Sequence, residues 1–203
     1  MGKLNFYTVD KEYLEFLRKF EPKVPKQNYD THMKFFCGTV LAVNGIKYFA
    51  PISHTVESYK TTMPIIHNGQ KKASLRFSYM IPVLDKHISY MDFAKELTEE
   101  ILQEKYLKKC NNDKEKAKEE AKKYIALLNI EYEFCNKNVS DIEAKALEVY
   151  EIGCNKKHYL NKNCCDFKKL EGVMCLYESR DSIIIKEKEI AIEIDKLNEP
   201  ANK

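Results

Sequence analysis

A lysine, a serine and a histidine near the start of this sequence are residue types that could together cleave RNA. Attack of a ribose 2′-hydroxyl on the neighbouring phosphate needs a base, an acid and cations near the charge that develops on phosphorus. Histidine exchanges protons near neutral pH, so His54 could act as the base or the acid. Lys34 would neutralise the developing charge, Ser53 would hold the phosphate, and Tyr29 could hydrogen-bond or stack.

A β-hairpin is expected to bring these residues together. Asn44-Gly45 separates two apolar runs, and both residues of such a two-residue turn need a positive φ, which Asn and Gly tolerate best. Lys34 and Ser53 would share one face diagonally, with about 7 to 8 Å between their backbones. Strict alternation would direct the His54 side chain to the opposite face of the hairpin. Pro51, however, should end or bend the strand, which would turn His54 back towards Lys34 and Ser53. With Val43 paired to Ile46, the register predicts three pairs: Lys34 with Thr55, Phe35 with His54, and Phe36 with Ser53.

Each candidate also has a purely structural interpretation. A histidine that follows a strand is often a surface residue, so His54 need not be catalytic. Lys34 could be a charge that protects a strand edge from aggregation. Ser53 could cap a turn. The spacing leaves these interpretations open beside the catalytic one.

The charge distribution predicts a surface that binds phosphates. The chain has a net charge of +3, but residues 22–84 contain eight basic residues and two acidic ones, Asp30 and Glu57, so the rest carries a net negative charge. No acidic residue occurs between Ser58 and Leu84. A lysine-rich solvated face is the alternative explanation. The residues expected to bind RNA are Lys23, Lys26, Lys47, Lys60, Lys71, Lys72, Arg76 and Ser78.

The order of hydrophobic patterns predicts an α+β fold. Short β-type runs cover 4–9, 35–43, 46–52 and 74–84, a second hairpin turn is expected at Asn68-Gly69, and a helix is expected over 9–20. Helical periodicity begins near residue 91, with Ser89-x-x-Asp92 and Ser140-x-x-Glu143 as helix-start patterns and a short last helix over 165–170. We expect a compact twisted antiparallel sheet or partly open barrel elaborated with helices. One domain over 1–203 is predicted: strand-rich 1–90, helical 91–175 and a tail over 176–203.

Composition argues against membrane, secreted and metal-binding classes. Charged residues make up 32% of the chain, and no apolar run approaches the roughly 18 residues that span a membrane. Seven cysteines without a secretory signal are typical of reduced thiols, which predicts a cytoplasmic protein. The spacing of Cys154, His158, Cys164 and Cys165 fits zinc sites poorly, so no metal or cofactor is expected.

Several short motifs, in this order, resemble one protein family. The resemblance spans roughly residues 4–175 and depends on the order and spacing of the motifs, since none is specific alone. The chain resembles the ToxN/AbiQ/CptN family of type III toxin-antitoxin endoribonucleases. The motifs are Phe6-Tyr7-Thr8-Val9, Val24-Pro25, Phe36-x-Gly38-x-Val40-Leu41, Gly45-x-Lys47-Tyr48, Ala50-Pro51-Ile52-Ser53, Met80-Ile81-Pro82 and Cys165-x-Phe167-x-x-Leu170-Glu171.

The resemblance implies both a reaction and a partner. It implies a barrel-like core related to the Kid/MazF toxins, and metal-independent cleavage of single-stranded RNA that leaves 2′,3′-cyclic phosphate and 5′-hydroxyl ends. It also implies inhibition by a small repeat-derived RNA antitoxin. The toxin would cut this RNA into pseudoknot units that lie in its basic groove and close with it into a ring-like assembly. Cellular or phage mRNA would be the substrate.

The resemblance also assigns site residues, and the sequence departs from the family at two of them. Tyr29, one residue out of register, and Lys34 match the family's active-site tyrosine and lysine, and Ser53 falls where its pair of hydroxyl residues begins. Many relatives have a second hydroxyl and then a lysine where this chain has His54 and Val56. We therefore hypothesise that His54 takes the acid or base role. Lys60 would replace the missing positive charge.

Two other functions are compatible with parts of the sequence. A non-catalytic SH3-like module that binds RNA would explain the basic segment without requiring Lys34, Ser53 and His54 to converge. A protein-protein adaptor that uses the Lys/Glu-rich stretch 113–123 would contact RNA weakly, with little dependence on salt. Binding through phosphates weakens steeply as salt rises, so salt dependence separates these possibilities.

Overall fold

The structure is a computed structural model that describes residues 3–29, 32–54, 59–92 and 98–180. For residues 28, 29, 32, 33 and 99 it describes the backbone alone. The predicted C-terminal tail beyond residue 180 lies outside the described residues.

An antiparallel sheet of seven strands forms the first half of the fold. Its strand order is β6-β7-β5-β4-β1-β9, with β8 beside β5, and β2 and β3 form a separate ribbon. In the described part of the chain the edge strands β6 and β9 do not pair, so the sheet is open. The strands are β1 (Asn5–Val9), β2 (Asn28–Tyr29), β3 (His32–Met33), β4 (Phe36–Val43), β5 (Ile46–Ser53), β6 (Thr62–His67), β7 (Gln70–Arg76), β8 (Ile81–Pro82) and β9 (Ile88–Tyr90).

Five helices in the described residues complete an α+β fold, as predicted. They are α1 (Lys11–Phe20), α2 (Glu99–Leu107), α3 (Lys114–Lys137), α4 (Val139–Cys154) and α5 over 167–180. Thr98 caps α2 and Asp113 caps α3, each by accepting a backbone N–H with its side chain.

Both predicted helix-start patterns are wrong. Ser89 lies in β9 and pairs with Thr8 of β1, because adding a strand to the sheet outweighs a local capping pattern. Ser140 lies within α4, whose N-cap is Asn138. The predicted last helix over 165–170 is also longer in the structure, since its described residues extend to 180.

The predicted register of the first hairpin is correct at the turn and wrong at its open end. Val43 pairs with Ile46, and Asn44 and Gly45 have φ values of 51° and 79°. The register then shifts between Cys37 and Leu41, so Phe36 lies opposite Pro51 instead of Ser53. A β-bulge of this kind changes the partner of every residue beyond it.

Pro51 does not end β5, which continues to Ser53. The backbone N–H of Ile52 points to Phe35 on the β4 side, so the nitrogen of Pro51 faces the opposite side of β5. On that side β5 pairs with β8 through Phe49 and with β7 from Ile52 onward. Pro51 therefore stands between two partner strands, where its missing N–H removes no ladder hydrogen bond.

The second hairpin forms at Asn68-Gly69, as predicted. Both turn residues have positive φ values, 50° and 72°, and join β6 to β7. Pro64 is tolerated because β6 is an edge strand. The strand predicted over 74–84 instead ends at Arg76, where a short 3-10 turn leads to β8.

Buried aromatic side chains join the sheet to the C-terminal helices. Tyr48 of β5 is fully buried, packs edge-on against Phe167, and donates its hydroxyl to Glu171 Oε1 at 2.8 Å. Tyr150 of α4 donates to the same oxygen at 2.7 Å. A buried hydroxyl needs such a partner, because desolvating it without a hydrogen bond costs about 1–3 kcal/mol. These contacts pack α5 against β5 and α4.

Candidate active site

Lys34 lies in the site as a half-buried cation. It follows β3, its backbone N–H donates to Gln27, and its Nζ donates to the carbonyl of Ile52 at 2.7 Å. Burial, reinforced by the positive charge of Arg76, lowers the pKa of Lys34 to about 8, and Glu131 opposes this effect. A lysine with this pKa is mostly protonated at pH 7, yet it can exchange a proton near neutral pH.

Ser53 lies at the end of β5 and is almost completely buried. It pairs with Ser74 of β7, and its side chain and backbone together are 8% exposed. The hydrogen bond from Ile52 to Phe35 continues the shifted register to the residue before β4. Lys34 Nζ contacts the carbonyl of Ile52, the residue next to Ser53.

His54 follows β5 directly and is directed towards helix α3. Its Nε2 lies 3.0 Å from Glu131 Oε1, and its ring meets Tyr124 edge-on with the centroids 6.2 Å apart. The side chain of His54 is 40% exposed, whereas that of Glu131 is 1% exposed. A partly accessible imidazole is thus joined to a buried carboxylate.

Tyr29 belongs to the small ribbon that leads into Lys34. Its backbone pairs with His32 across the β2–β3 ribbon. Its side chain lies outside the described part, so the predicted role of its hydroxyl stays a prediction.

A cavity of about 580 Å³ opens beside Lys34 and Arg76. Arg76 stacks on two tyrosines, with its guanidinium carbon 5.5 Å from the Tyr59 ring centroid and 5.0 Å from that of Tyr79. Its buried Nε has no hydrogen-bond partner among the described residues. The described lining contains no acidic side chain. It consists of Arg18, Pro22, Lys23, Val24, Pro25, Lys26, Lys34, Pro51, Arg76 and Tyr79.

A second cavity of about 610 Å³ adjoins the first and shares Lys23, Arg76 and Tyr79 with it. We call the two cavities together the basic groove. Lys60 and Tyr159 meet in its second half, where Nζ lies 2.9 Å from the phenol oxygen. The described lining of the second cavity also contains no acidic side chain. It consists of Lys23, Tyr59, Lys60, Thr61, Arg76, Ser78, Tyr79, Tyr159, Leu160, Lys162 and Asn163. Cations interleaved with aromatic rings are typical of surfaces that bind single-stranded nucleic acid.

Comparison with known proteins establishes the family. The family model of the toxin ToxN, from type III toxin-antitoxin systems, matches residues 5–175. The chain belongs to this family. The endoribonuclease ToxN of Bacillus thuringiensis subsp. kurstaki is 25% identical over 186 residues, which are 87% of this chain and 85% of that protein. The endoribonuclease AbiQ of Lactococcus lactis subsp. lactis is 30% identical over 198 residues, with 88% and 92% covered.

Solved structures of related proteins share the fold. AbiQ, described as a lactococcal anti-phage endoribonuclease of a type III toxin-antitoxin system, matches with a TM-score of 0.66 at 26% identity. The match covers 88% of this chain and 99% of that chain. A structure from work on selective toxin inhibition by a non-coding RNA pseudoknot matches with a TM-score of 0.68 at 24% identity, and covers 87% and 99%.

The basic groove of this ToxN-family chain contains some of the residues predicted to bind RNA. Lys47 instead forms an ion pair with Asp85 at 2.6 Å, and Lys72 donates to Gln70 at 2.8 Å. Lys71 also lies outside the described lining of both cavities. The predicted residues that line the groove are Lys23, Lys26, Lys60, Arg76 and Ser78.

Sequence reasoning did not find Glu131, Tyr159 or Lys162. A signal for the last two was present, because residues 152–165 contain three lysines, a histidine and a tyrosine but no acidic residue. Glu131 carries a signal as well, because it continues the helical spacing of Tyr124, Leu128 and Cys135, whereas the other glutamates of α3 lie off that stripe.

The cysteine-rich segment has a structural role in the described residues. No group of three His, Cys, Asp or Glu side chains in that part of the chain is arranged to hold a metal ion. Burial raises the pKa of Cys164 to about 11, which keeps the group a thiol. Lys23 donates to the carbonyl of Cys164 at 2.6 Å, and Cys165 donates its N–H to Ser78, so the segment forms one wall of the groove.

Among the described helices, none is long and apolar enough to cross a membrane.

Proposed function

We propose that this member of the ToxN family is an endoribonuclease that cuts single-stranded RNA held in the basic groove. The observation that carries the proposal is the close approach of Lys34 and Arg76 in a cavity with no acidic residue in its described lining. Two neighbouring cations repel each other, and an anion between them removes this repulsion. The buried Nε of Arg76 adds a donor that a phosphate oxygen can satisfy.

The proposed reaction is a metal-independent transesterification. The ribose 2′-oxygen forms a bond to phosphorus while the bond to the 5′-oxygen breaks. The 2′-hydroxyl loses its proton to a general base and the leaving oxygen gains one from a general acid. The products carry a 2′,3′-cyclic phosphate and a 5′-hydroxyl.

We assign each proposed role to a residue of the site. His54 serves as the base or the acid, a role worth about 10² to 10⁴ in rate. Lys34 and Arg76 stabilise the charge that develops on the phosphate, and Ser53 holds the phosphate. Tyr29 hydrogen-bonds or stacks, and Lys60 supplies further positive charge.

The RNA backbone is proposed to follow the cations of the groove, while its bases stack on the rings of Tyr59, Tyr79 and Tyr159. Tyr59 and Tyr159 are 48% and 62% exposed, so bases can reach them. Lys47, Lys71 and Lys72 would contact RNA that extends beyond the groove.

A repeat-derived RNA is the proposed antitoxin. One related structure concerns toxin inhibition by a non-coding RNA pseudoknot, and another, at 22% identity, a processed non-coding RNA that regulates an antiviral system. An inhibitory pseudoknot and a substrate RNA would compete for the same cations of the groove. The toxin would cut the precursor itself and close with the units into one assembly.

We further propose that 1–203 is one domain whose open sheet corresponds to the barrel of Kid/MazF toxins. One cluster of buried residues runs from Leu4, just before β1, to Tyr177 in α5, which supports a single domain. The proposed location is the cytoplasm, because mRNA is there and all seven cysteines are free thiols.

The alternative is a non-catalytic SH3-like module that binds RNA. The 8% exposure of Ser53 favours it, since a nearly buried hydroxyl is poorly placed to hold a phosphate.

One experiment separates the two functions. The purified chain is incubated with generic single-stranded RNA and EDTA, and the ends of the fragments are analysed. We expect 2′,3′-cyclic phosphate ends, with the rate reduced about 10²- to 10⁴-fold in His54→Ala. The matched control is His67→Ala, because His67 is exposed at the tip of the second hairpin. RNA that is bound but intact would support the module, and full activity of His54→Ala would remove His54 from the mechanism.

A further inference from the structure

Helix α3 carries an acidic side chain into the interior of the protein. Glu131 is 1% exposed, and the neighbouring inward positions Leu128 and Cys135 are 2% and 0% exposed. A buried carboxylate costs several kcal/mol unless a cation or hydrogen-bond donor compensates it. Glu131 therefore requires a partner that explains its position.

His54 is a described group that contacts Glu131 directly. Nε2 of the imidazole lies 3.0 Å from Oε1 of the carboxylate. This oxygen accepts no well-aligned hydrogen bond from any described residue, so the contact is close but not linear. Catalytic hydrogen bonds are often poorly aligned before substrate binds and tighten in the complex. A small rotation of the imidazole would align this one.

The ring of His54 is held from a second side by Tyr124. This tyrosine lies on the same helix as Glu131, is 7% exposed, and presents its ring edge-on to the imidazole. The carboxylate and the aromatic ring lie on one helix and limit the imidazole of His54 to small rotations. The partly exposed imidazole thus stays beside Glu131 at the end of β5.

The same carboxylate acts on the second proposed active-site group. Glu131 raises the pKa of Lys34, against the lowering effects of burial and of Arg76. Glu131 is therefore near enough to both His54 and Lys34 to influence them electrostatically. Its position connects α3 with the strand ends that carry these residues.

We propose that Glu131 is a positioning residue that fixes the tautomer and orientation of His54. The proposal rests on the proposed endoribonuclease function. In the neutral imidazole the carboxylate holds the proton on Nε2, so that Nδ1 is the nitrogen that exchanges a proton with the RNA. Glu131 itself gains and loses no proton during the reaction. Its negative charge also stabilises the imidazolium that forms when His54 accepts a proton.

Glu131→Gln tests the proposal, because the substitution keeps the shape of the side chain and removes its charge. The matched control is Glu133→Gln on the same helix, where the exposed Glu133 pairs with Lys137 at 3.1 Å. We expect kcat of Glu131→Gln to fall about 10- to 100-fold with KM for RNA unchanged within about twofold. Wild-type kcat is expected for Glu133→Gln.

Two further measurements distinguish positioning from a structural role. If Glu131 acts through His54, adding Glu131→Gln to His54→Ala should not slow cleavage any further. The double variant should therefore keep the residual rate of the His54→Ala variant. Nitrogen-15 chemical shifts of the His54 imidazole should report the Nε2–H tautomer in the wild-type protein and a mixture of tautomers in Glu131→Gln. A merely structural carboxylate would leave the tautomer unchanged.

Several outcomes would overturn the proposal. These are wild-type kcat in Glu131→Gln, a double variant at least about tenfold slower than His54→Ala, or an unchanged tautomer. If Glu131→Gln does not fold, Glu131→Asp replaces it in the test, because aspartate keeps the charge but moves it away from His54. Wild-type kcat in Glu131→Asp would contradict the proposal. A wild-type protein that cuts no RNA would remove the proposed function, whereas the tautomer measurement would still test the pair.

Discussion

At the scale of single residues, Lys34 lowers the stability of the folded protein and also has a proposed role in catalysis. Burial and the neighbouring Arg76 lower its pKa from 10.5 to about 8. The folded protein therefore binds fewer protons than the unfolded chain between about pH 8 and pH 10.5. The destabilisation by Lys34 is complete below pH 8, and stability rises as pH increases through this window.

We predict that Lys34→Met stabilises the protein at pH 7 while it removes RNA cleavage. The substitution removes a partly buried charge, so we expect the free energy of unfolding to rise by about 1–2 kcal/mol. Each kcal/mol corresponds to a rise of about 2–4 °C in Tm. The gain should shrink as pH rises from 8 to 10.5, because the wild-type lysine then loses its charge. Thermal unfolding over this pH range measures both effects.

Lys26→Met is the control for stability, because Lys26 lines the same cavity but is exposed. Its Tm should change by less than about 2 °C. A Lys34→Met protein that is less stable than the wild type at pH 7 would contradict the assignment of a destabilising, partly buried charge.

At the scale of elements, the bulge in β4 determines which residues meet at the site. The register shift lies between Cys37 and Leu41, and Gly38 is within it. A Cβ atom at Gly38 would overlap the ring of Phe49 on β5, so only glycine lets the two strands approach this closely. The bulge therefore depends on a small residue at this position.

We predict that Gly38→Ala destabilises the protein by about 1–3 kcal/mol, the usual cost of overpacking a core. Cleavage should also slow, because Lys34 lies beyond the bulge and moves with β4. Urea unfolding measures the free energy of unfolding, and a single-turnover assay measures the rate.

Gly172→Ala is the matched control for Gly38→Ala. Gly172 lies in α5, and a Cβ there would meet no atom within 4 Å. Alanine should stabilise this helix by about 0.5–1 kcal/mol. Equal effects of the two substitutions would show that the contact with Phe49 does not limit the approach of β4 and β5.

At the scale of the whole molecule, the basic groove has walls from distant parts of the chain. Lys60 precedes β6, whereas Tyr159 belongs to the segment between α4 and α5. The hydrogen bonds of Lys23 to Cys164 and of Cys165 to Ser78 hold that segment against the sheet. The helical half thus contributes directly to the surface that is proposed to bind RNA.

We predict that Tyr159→Ala weakens the binding of single-stranded RNA about 5- to 100-fold, which corresponds to the loss of one stacked base. The slope of log Kd against log salt should stay constant, because no charge is removed. Lys60→Gln should lower that slope by about 0.7 for one phosphate contact. Fluorescence anisotropy at several salt concentrations measures both quantities.

Tyr90→Ala is the control for Tyr159→Ala. Tyr90 is similarly exposed, at 55%, but it lies on the edge strand β9. RNA affinity should change less than about twofold in this variant. A loss equal to that of Tyr159→Ala would place the RNA on a different surface.

The sequence by itself determined the features that local residues encode. Asn44-Gly45 and Asn68-Gly69 specify two hairpins, because their turns need a positive φ at neighbouring residues. The basic segment and the order of motifs indicated an RNA-binding toxin of the ToxN family, and the family model supports that membership. Charge and motif order are properties of the chain itself, so no tertiary contact is needed to find them.

Only the tertiary structure decided how the site is assembled. The bulge that shifts the partner of Phe36 depends on packing between β4 and β5, and Pro51 is tolerated because β5 changes partner strands there. The spacing of α3 places Glu131 on its inward face, but only the fold brings His54 within 3.0 Å of it. Register beyond a bulge and the partner of a buried charge depend on residues far away in the sequence, so local patterns cannot specify them.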